Sequence, residues 1–182
     1  TGCTWGKSKE REQYNSLHQY YKKGPFDLIP SEHKSARFKF ALVRDPLKRV
    51  ISFFQNKVLD EQKLVNAQEK LEKAGLIVDP SFDFFVEHLE TYREAWAPIK
   101  DHTNTLVSHL GDDCKIYSSL RDISESQKLL NEISTVVGRD LIAPVRGASR
   151  PQIKVDSISE NSLKKIQKYY EADYDIYGSY FK

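Results

Sequence analysis

The segment FKFALVRDPLKRVISFF constrains the fold of this chain more than any other stretch. Its first part, residues 38–43, is an apolar run that predicts a buried strand stopping at Arg44. Asp45 is a good N-cap, and Pro46 suits the first helical position because its missing N–H costs nothing there. Apolar residues then recur at helical spacing and predict a helix over residues 46–60. The apolar positions of this helix are Leu47, Val50, Ile51, Phe54 and Val58.

This strand and helix place Arg44 at the carboxyl end of a strand and beside a helix N-terminus. Open α/β sheets bind ligands at that edge, and helix N-termini favour anions. Ser52 lies two turns into the helix, with Arg49 one turn before it on the same side. A guanidinium, a hydroxyl and a helix dipole together predict a phosphate site. The alternative is that Arg44 pairs with an acidic neighbour, that Ser52 is a surface residue and that Arg49 is solvated.

Composition indicates one domain, residues 1–182, that is large enough to bury a core. The net charge of +2 argues against bulk binding of nucleic acid, yet it suits an anionic cofactor held by a few local cations. No apolar run approaches the length of a membrane span. Cys3 and Cys114 are too few for a disulfide framework or a metal site. The absence of an N-x-S/T sequon favours a bacterial cytoplasmic protein over an animal protein of the Golgi lumen.

The rest of the chain reads as helices separated by few strands, which predicts an α/β fold with a small parallel sheet and crossover helices. A short strand is predicted over residues 115–118. Ser157 and Glu160 form a plausible capping box for the last helix. Further helices are predicted over residues 63–74, from the 79–81 turn onward, and over residues 92–110, 124–137 and 159–172. Within residues 92–110, Pro98 is a candidate helix break.

The pattern R-D-P-x-x-R-x-x-S-x-F after an apolar strand resembles the 3′-phosphate-binding segment of sulfotransferases. These enzymes use 3′-phosphoadenosine 5′-phosphosulfate (PAPS) as donor, and the likeness is greatest to the carbohydrate sulfotransferases of the chondroitin and dermatan type and their bacterial relatives. Weaker likenesses follow the family's order along the chain: TGCT at residues 1–4, FDFFVEHL at 82–89, the pair Asp101-His102, KIY at 115–117 and KYYEADYDIYGSY at 168–180.

The resemblance implies a P-loop-like three-layer fold. It also implies transfer of a sulfuryl group from PAPS to a hydroxyl group, in particular one of a carbohydrate, in a reaction that uses no metal. It implies that Arg44, Ser52 and Arg49 hold the 3′-phosphate. The residues implied at the sulfate end and in the loop that closes over the cofactor are Gly2, Cys3, Thr4, Ser149 and Arg150. The family's first strand and its lysine would precede Thr1, so a chain beginning there is expected to be inactive.

A base must take the proton of the acceptor hydroxyl, and histidine suits this task near neutral pH. His102 lies in the segment that resembles the family's acidic-His motif, and His33 lies in the loop before the strand and has a family counterpart. Either histidine could instead be structural or merely exposed. The tyrosine-rich tail is expected to pack against the sheet rather than to form a platform for a sugar.

Two other functions remain open from the sequence. The stretch GCTWGKS nearly spells a Walker A loop, with three residues where four are needed, so a P-loop kinase would place Lys7 on phosphates and Ser8 on magnesium. A kinase of this kind also needs an aspartate at the end of a second strand to bind magnesium. The sequence has no clear residue for this role other than Asp45. A helical interaction module with a charged partner surface at residues 60–73 is the third possibility, although such runs are usually solvated faces.

Overall fold

The structure, a computed structural model, describes Phe26, residues 38–142 and residues 153–182. Within these residues two strands, β1 (Phe40–Val43) and β2 (Ser119–Asp122), form a parallel pair. Val43 faces Asp122 in the register, so both strands end at the same edge of the sheet. The described part of the chain is therefore a helix-rich α/β arrangement around a small parallel sheet, as the sequence predicts.

Strand β2 begins four residues later than the predicted strand at residues 115–118. The reason is local, because the Asp113 carboxylate accepts a hydrogen bond from the Lys115 backbone N–H at 2.9 Å and turns the chain into a 3₁₀ helix, Cys114–Ile116. Only beyond Tyr117 is the backbone free to extend alongside β1. The predicted position of this strand was wrong.

The helix after β1 has the predicted extent. Helix α1 (Pro46–Phe53) continues without interruption into a π-helical segment, Phe54–Asp60. Asp45 is the N-cap, and its Oδ1 accepts from the Lys48 backbone N–H at 2.9 Å. The apolar stripe is buried as expected, with at most 2% exposure for Val50, Phe54 and Val58.

The middle of the chain is a series of short helices. A 3₁₀ helix, Lys63–Ala67, leads into α2 (Gln68–Lys73), and their inner faces bury Leu64 and Leu71 completely. Helix α3 (Phe82–Glu87) follows Ser81, whose side chain accepts from the Phe84 backbone N–H and confirms the predicted start. The following helices are α4 (Leu89–Ala95), α5 (Ala97–Thr103) and α6 (Leu106–Leu110).

The prediction of one continuous helix over residues 92–110 was wrong. The candidate break at Pro98 is confirmed, because Trp96 separates α4 from α5, and a second, unpredicted break separates α5 from α6. Trp96 is extended, and Pro98 lies in the first turn of α5, where a missing N–H is tolerated, rather than in the interior of a continuous helix. Asn104 and Thr105 are also extended, and the Thr105 side chain accepts from the Ser108 backbone N–H as the N-cap of α6.

The described residues of the carboxyl-terminal part contain three α-helices: α7 (Ser126–Val137), α8 (Glu160–Tyr169) and α9 (Glu171–Tyr177). The predicted last helix, 159–172, is in fact two helices that meet at Tyr170. The predicted capping box was also wrong, because Ser159 caps α8 by accepting from the Ser162 backbone N–H at 3.2 Å.

Buried apolar side chains form two clusters. The larger one joins α1, the π-helical segment, α2, α3, α4 and α8. The smaller one contains Val43 of β1, Leu106 of α6 and Tyr177 of α9, so the tyrosine-rich tail packs on the sheet as predicted. Among the described residues, no helix combines the length and the apolar character that crossing a bilayer requires.

Candidate active site

Arg44 directly follows β1 at the carboxyl edge of the sheet, one residue before the N-cap of α1. Its side chain is half-buried. Within the described residues no carboxylate forms an ion pair with Arg44 and no acceptor binds its guanidinium. Pairing with a nearby acid, the alternative considered for this residue, therefore has no support in this part of the structure. A cation at the start of α1, where the helix dipole is positive, suits an anion.

Ser52 is half-buried on α1, one turn after Lys48. In the described part of the chain its hydroxyl has no hydrogen-bond partner. The neighbouring Val50, Ile51 and Phe53 are buried, so Lys48 and Ser52 mark the open side of this helix. Lys48, which the sequence analysis did not consider, adds a second cation to the first turn, and its Nζ donates to the Lys182 carbonyl oxygen.

Arg49 points away from that open side. Its Nη2 donates to the Asn104 carbonyl oxygen at 2.6 Å and lies 3.7 Å from Asp173 Oδ2. The guanidinium carbon is 5.4 Å from the centre of the Tyr170 ring. With 19% of the side chain exposed, Arg49 links α1 to other helices.

His102 lies on α5 with its ring centroid 5.3 Å from that of Phe53 on α1. The imidazole is exposed, and α5 packs directly on α1. The structure thus brings His102 next to the helix that carries Ser52. Burial and then the charge of Arg49 lower the pKa of a second imidazole, His109 on α6.

Two tyrosines of the tail hold the ends of the segment that follows His102. The Tyr170 hydroxyl donates to the Thr103 carbonyl oxygen at 2.6 Å, and the Tyr177 hydroxyl donates to the Gly111 carbonyl oxygen, also at 2.6 Å. Both side chains are fully buried. Burial raises the pKa of both phenols, because a low dielectric disfavours the phenolate.

Asp173 lies between these tyrosines and is also fully buried. Its two carboxylate oxygens accept from the backbone N–H groups of Leu106, at 2.7 Å, and Val107, at 3.0 Å, at the start of α6. Burial raises the pKa of Asp173, and the two amide bonds together with the charge of Arg49 oppose that shift. The carboxylate therefore fixes α6 and provides Arg49 with a counter-ion.

Arg93 on α4 contacts the same segment from another side. Its Nη1 donates to Thr103 Oγ1 at 2.8 Å, and its Nη2 donates to Asn104 Oδ1 at 2.9 Å. Thr103 is fully buried, and its Oγ1 donates to the Ile99 carbonyl oxygen at 2.6 Å. Sequence reasoning missed Arg93 and treated Tyr170 only as packing. One feature of the sequence could have indicated the role of the tail. Its Y-x-x-D-x-x-x-Y spacing places Tyr170, Asp173 and Tyr177 on one helical face.

The remaining candidate residues cannot be related to this arrangement. Six of them lie outside the described residues: Gly2, Cys3, Thr4, His33, Ser149 and Arg150. The described candidates Arg49, Ser52 and His102 belong to the packed pair of helices α1 and α5, and Arg44 stands at the entry to α1.

An open cleft of about 550 Å³ lies beside Trp96, between α2 and the start of α5. Its wall combines one indole with amide and carboxylate side chains, among them Asn66, Gln68 and Glu69. Gln68 Nε2 donates to Glu72 Oε1 at 2.7 Å, which orients the amide. Apolar ring faces next to such mixed donors and acceptors suit a ligand with many hydroxyl groups.

Comparison with known proteins gives one result. A family model described as "Sulfotransferase family" matches residues 3–181, which include every described site residue. No curated protein and no solved structure shows significant similarity to the chain.

Proposed function

Because this chain belongs to the sulfotransferase family, we propose that it transfers a sulfuryl group from PAPS to a hydroxyl group of a carbohydrate. Sulfuryl transfer to a hydroxyl-bearing acceptor follows from the family, whereas the donor and the class of acceptor are our proposal. We also propose that β1 and β2 belong to a P-loop-like three-layer fold, since their parallel pairing and the helix after β1 are compatible with it.

The observation that carries the proposal is the environment of Arg44. A guanidinium at the carboxyl end of a parallel strand, next to a helix N-terminus and without an acidic partner among the described residues, suits a phosphate. Ser52 and Lys48 on the open side of α1 add a hydroxyl donor and a second positive charge. We assign Arg44 and Ser52 to the 3′-phosphate of the donor.

We assign the role of general base to His102. In the proposed step its imidazole takes the proton of the acceptor hydroxyl while the acceptor oxygen forms a bond to sulfur. The bond from sulfur to the bridging phosphate oxygen breaks, and 3′-phosphoadenosine 5′-phosphate (PAP) leaves with the electron pair. The exposed position of His102 next to α1 supports this role, because an acceptor could reach it from solvent.

A carbohydrate acceptor is supported by the cleft beside Trp96, which immediately precedes the helix that carries His102. The mixed amide, carboxylate and indole wall could bind sugar units on one side of the reacting hydroxyl. Transfer assays with desulfated chondroitin oligosaccharides and with simple alcohols test this class. Faster transfer to the oligosaccharides supports the proposal, and equal or faster transfer to the alcohols contradicts it.

Binding of PAP, measured by calorimetry, tests the donor. We expect Arg44→Ala to abolish binding, because a desolvated guanidinium–phosphate pair is lost. His102→Ala should bind PAP like the wild type but transfer sulfate about 10²–10⁴ times more slowly. Arg139→Ala is the control, since Arg139 is an exposed arginine beyond α7. Wild-type affinity in Arg44→Ala would refute the assignment.

The two alternative functions predict other outcomes. A kinase would be stabilised thermally by ATP with magnesium rather than by PAP. Against it, Asp45, the candidate for its magnesium-binding acid, already caps α1. An interaction module would bind neither nucleotide. The segment proposed for it, residues 60–73, buries Leu64 and Leu71 in the core and exposes most of its charged side chains, as an ordinary solvated helix face does.

A further inference from the structure

We propose that Tyr170, Arg93 and Arg49 form a clamp around Thr103 and Asn104 that positions His102 for the reaction. This inference rests on the proposed function, because it assigns a role to groups that act through the proposed base. The three clamp residues come from three different parts of the chain: α1, α4 and the junction of α8 and α9. All of them converge on the two residues that directly follow His102.

The clamp supplies donors to four acceptor oxygens of the turn between α5 and α6. Tyr170 donates to the Thr103 carbonyl oxygen, and Arg49 donates to the Asn104 carbonyl oxygen, both at 2.6 Å. Arg93 donates to both side chains. A buried turn with unpaired carbonyls would be costly, so these donors hold the backbone in one place. The position of the preceding residue, His102, is fixed with it.

Arg49 connects the clamp to α1, the helix that carries Ser52. It lies on α1, one turn before Ser52, and its guanidinium reaches across to Asn104. The contact of Phe53 with His102 is a second bridge between the same two helices. A displacement of the turn would therefore change the distance between the base and the bound donor. Misplacement of catalytic groups by about 1 Å is sufficient to slow a reaction substantially.

The tail provides a matched pair of variants to test this. Tyr170→Phe and Tyr177→Phe each remove one buried hydroxyl that donates to a backbone carbonyl at 2.6 Å. Only Tyr170 contacts the residue next to His102, whereas Tyr177 holds the far end of α6 at Gly111. We expect similar losses of melting temperature. Tyr170→Phe should lower kcat about tenfold while the Kd for PAP changes less than about twofold, and Tyr177→Phe should leave kcat within about twofold.

A double-mutant cycle separates positioning from a merely structural role. The assays use the full-length protein, PAPS and desulfated chondroitin oligosaccharides. If Tyr170 acts through His102, Tyr170→Phe should cause no further loss of kcat in a His102→Ala background. An equal fold-loss in both backgrounds, or the same loss in Tyr177→Phe, would overturn the inference. If Tyr170→Phe does not fold, Arg93→Lys replaces it, since a lysine cannot donate to both Thr103 and Asn104.

The failure of this inference can be distinguished from failure of the proposed function. If the wild-type protein binds PAP and transfers sulfate but Tyr170→Phe leaves kcat unchanged, only the positioning role is refuted. A wild-type protein that binds no PAP refutes the donor, and one that binds PAP but transfers nothing to the oligosaccharides refutes the acceptor. Both of these results would also refute the proposed positioning of His102, because it depends on the proposed function.

Discussion

Three arginines near the candidate site differ only in their surroundings, and this difference decides what each can do. Arg49 and Arg93 are held by carbonyl, hydroxyl and carboxylate oxygens, and both lie over tyrosine rings. Arg44 has no such partner among the described residues. A guanidinium is always charged, so it needs an anion or a set of acceptors wherever water is scarce. Arg49 and Arg93 have such acceptors for their terminal nitrogens, and within the described residues Arg44 has none.

Asp173 is the residue on which we expect stability to depend most. Asp173→Ala removes the acceptor of two buried N–H groups and the counter-ion of Arg49, so it should lower the free energy of unfolding by about 3 kcal/mol. Urea denaturation measures this loss. Asp175→Ala is the control on the same helix, because Asp175 is exposed and should change stability by less than about 0.5 kcal/mol. Similar values for the two variants would contradict the role of Asp173.

At the scale of elements, local signals determined where helices begin better than where they end. Asp45-Pro46 and Ser81 were sufficient to predict the starts of α1 and α3, because an N-cap acts within one turn. The break between α5 and α6 depends instead on distant partners. The extended backbone at Asn104 is held by Arg49 and Arg93, and no pattern within residues 92–110 reveals these contacts. Tertiary contacts here override helical periodicity.

The start of α8 offers a test between the sequence pattern and the structure. Ser159→Ala removes the N-cap of α8 and a hydrogen bond of 2.8 Å to Asp83 Oδ1, so it should cost about 1–2 kcal/mol of unfolding free energy. Ser157→Ala, at the position favoured by the capping-box pattern, should cost less than about 0.5 kcal/mol because its exposed hydroxyl donates only to the Lys154 carbonyl oxygen. If urea denaturation shows a larger loss for Ser157→Ala than for Ser159→Ala, the capping box of Ser157 and Glu160 is supported instead.

At the scale of the whole molecule, the sequence predicted the strand, cap and helix around Arg44 but not how the helices are joined. The strand, cap and helix around Arg44 are contiguous in the chain, so a single pattern contains them. The clamp joins α1, α4 and the tail across separations such as that between Thr103 and Tyr170. Spacing indicated that the tail residues share a face, but only the packed structure reveals that this face meets the end of α5.

The concentration of buried phenols in this molecule predicts a loss of stability at alkaline pH. Burial raises the pKa of Tyr92 and of Tyr174 to about 12, and it also raises the pKa of Tyr170 and Tyr177. In the unfolded chain these phenols ionise near pH 10. Below about pH 10 both states hold the protons, and stability is unaffected by this group of residues. As the pH rises from about 10 to about 12, the unfolded state releases protons that the folded state retains, so the free energy of unfolding must fall.

Urea denaturation at about pH 8, 10 and 11 measures this decline, and the part of the tyrosinate absorbance that Tyr92→Phe removes should appear only above the pH at which free tyrosine ionises. Tyr92→Phe is the matched variant, because it removes a phenol whose hydroxyl donates to the Ile77 carbonyl oxygen at 2.7 Å and leaves the ring in place. This variant should be less stable at neutral pH, through the lost hydrogen bond, yet its stability should decline less steeply above about pH 10. An unchanged dependence of the unfolding free energy on pH would contradict this prediction. It would show that the Tyr92 phenol ionises as easily in the folded state as in the unfolded one.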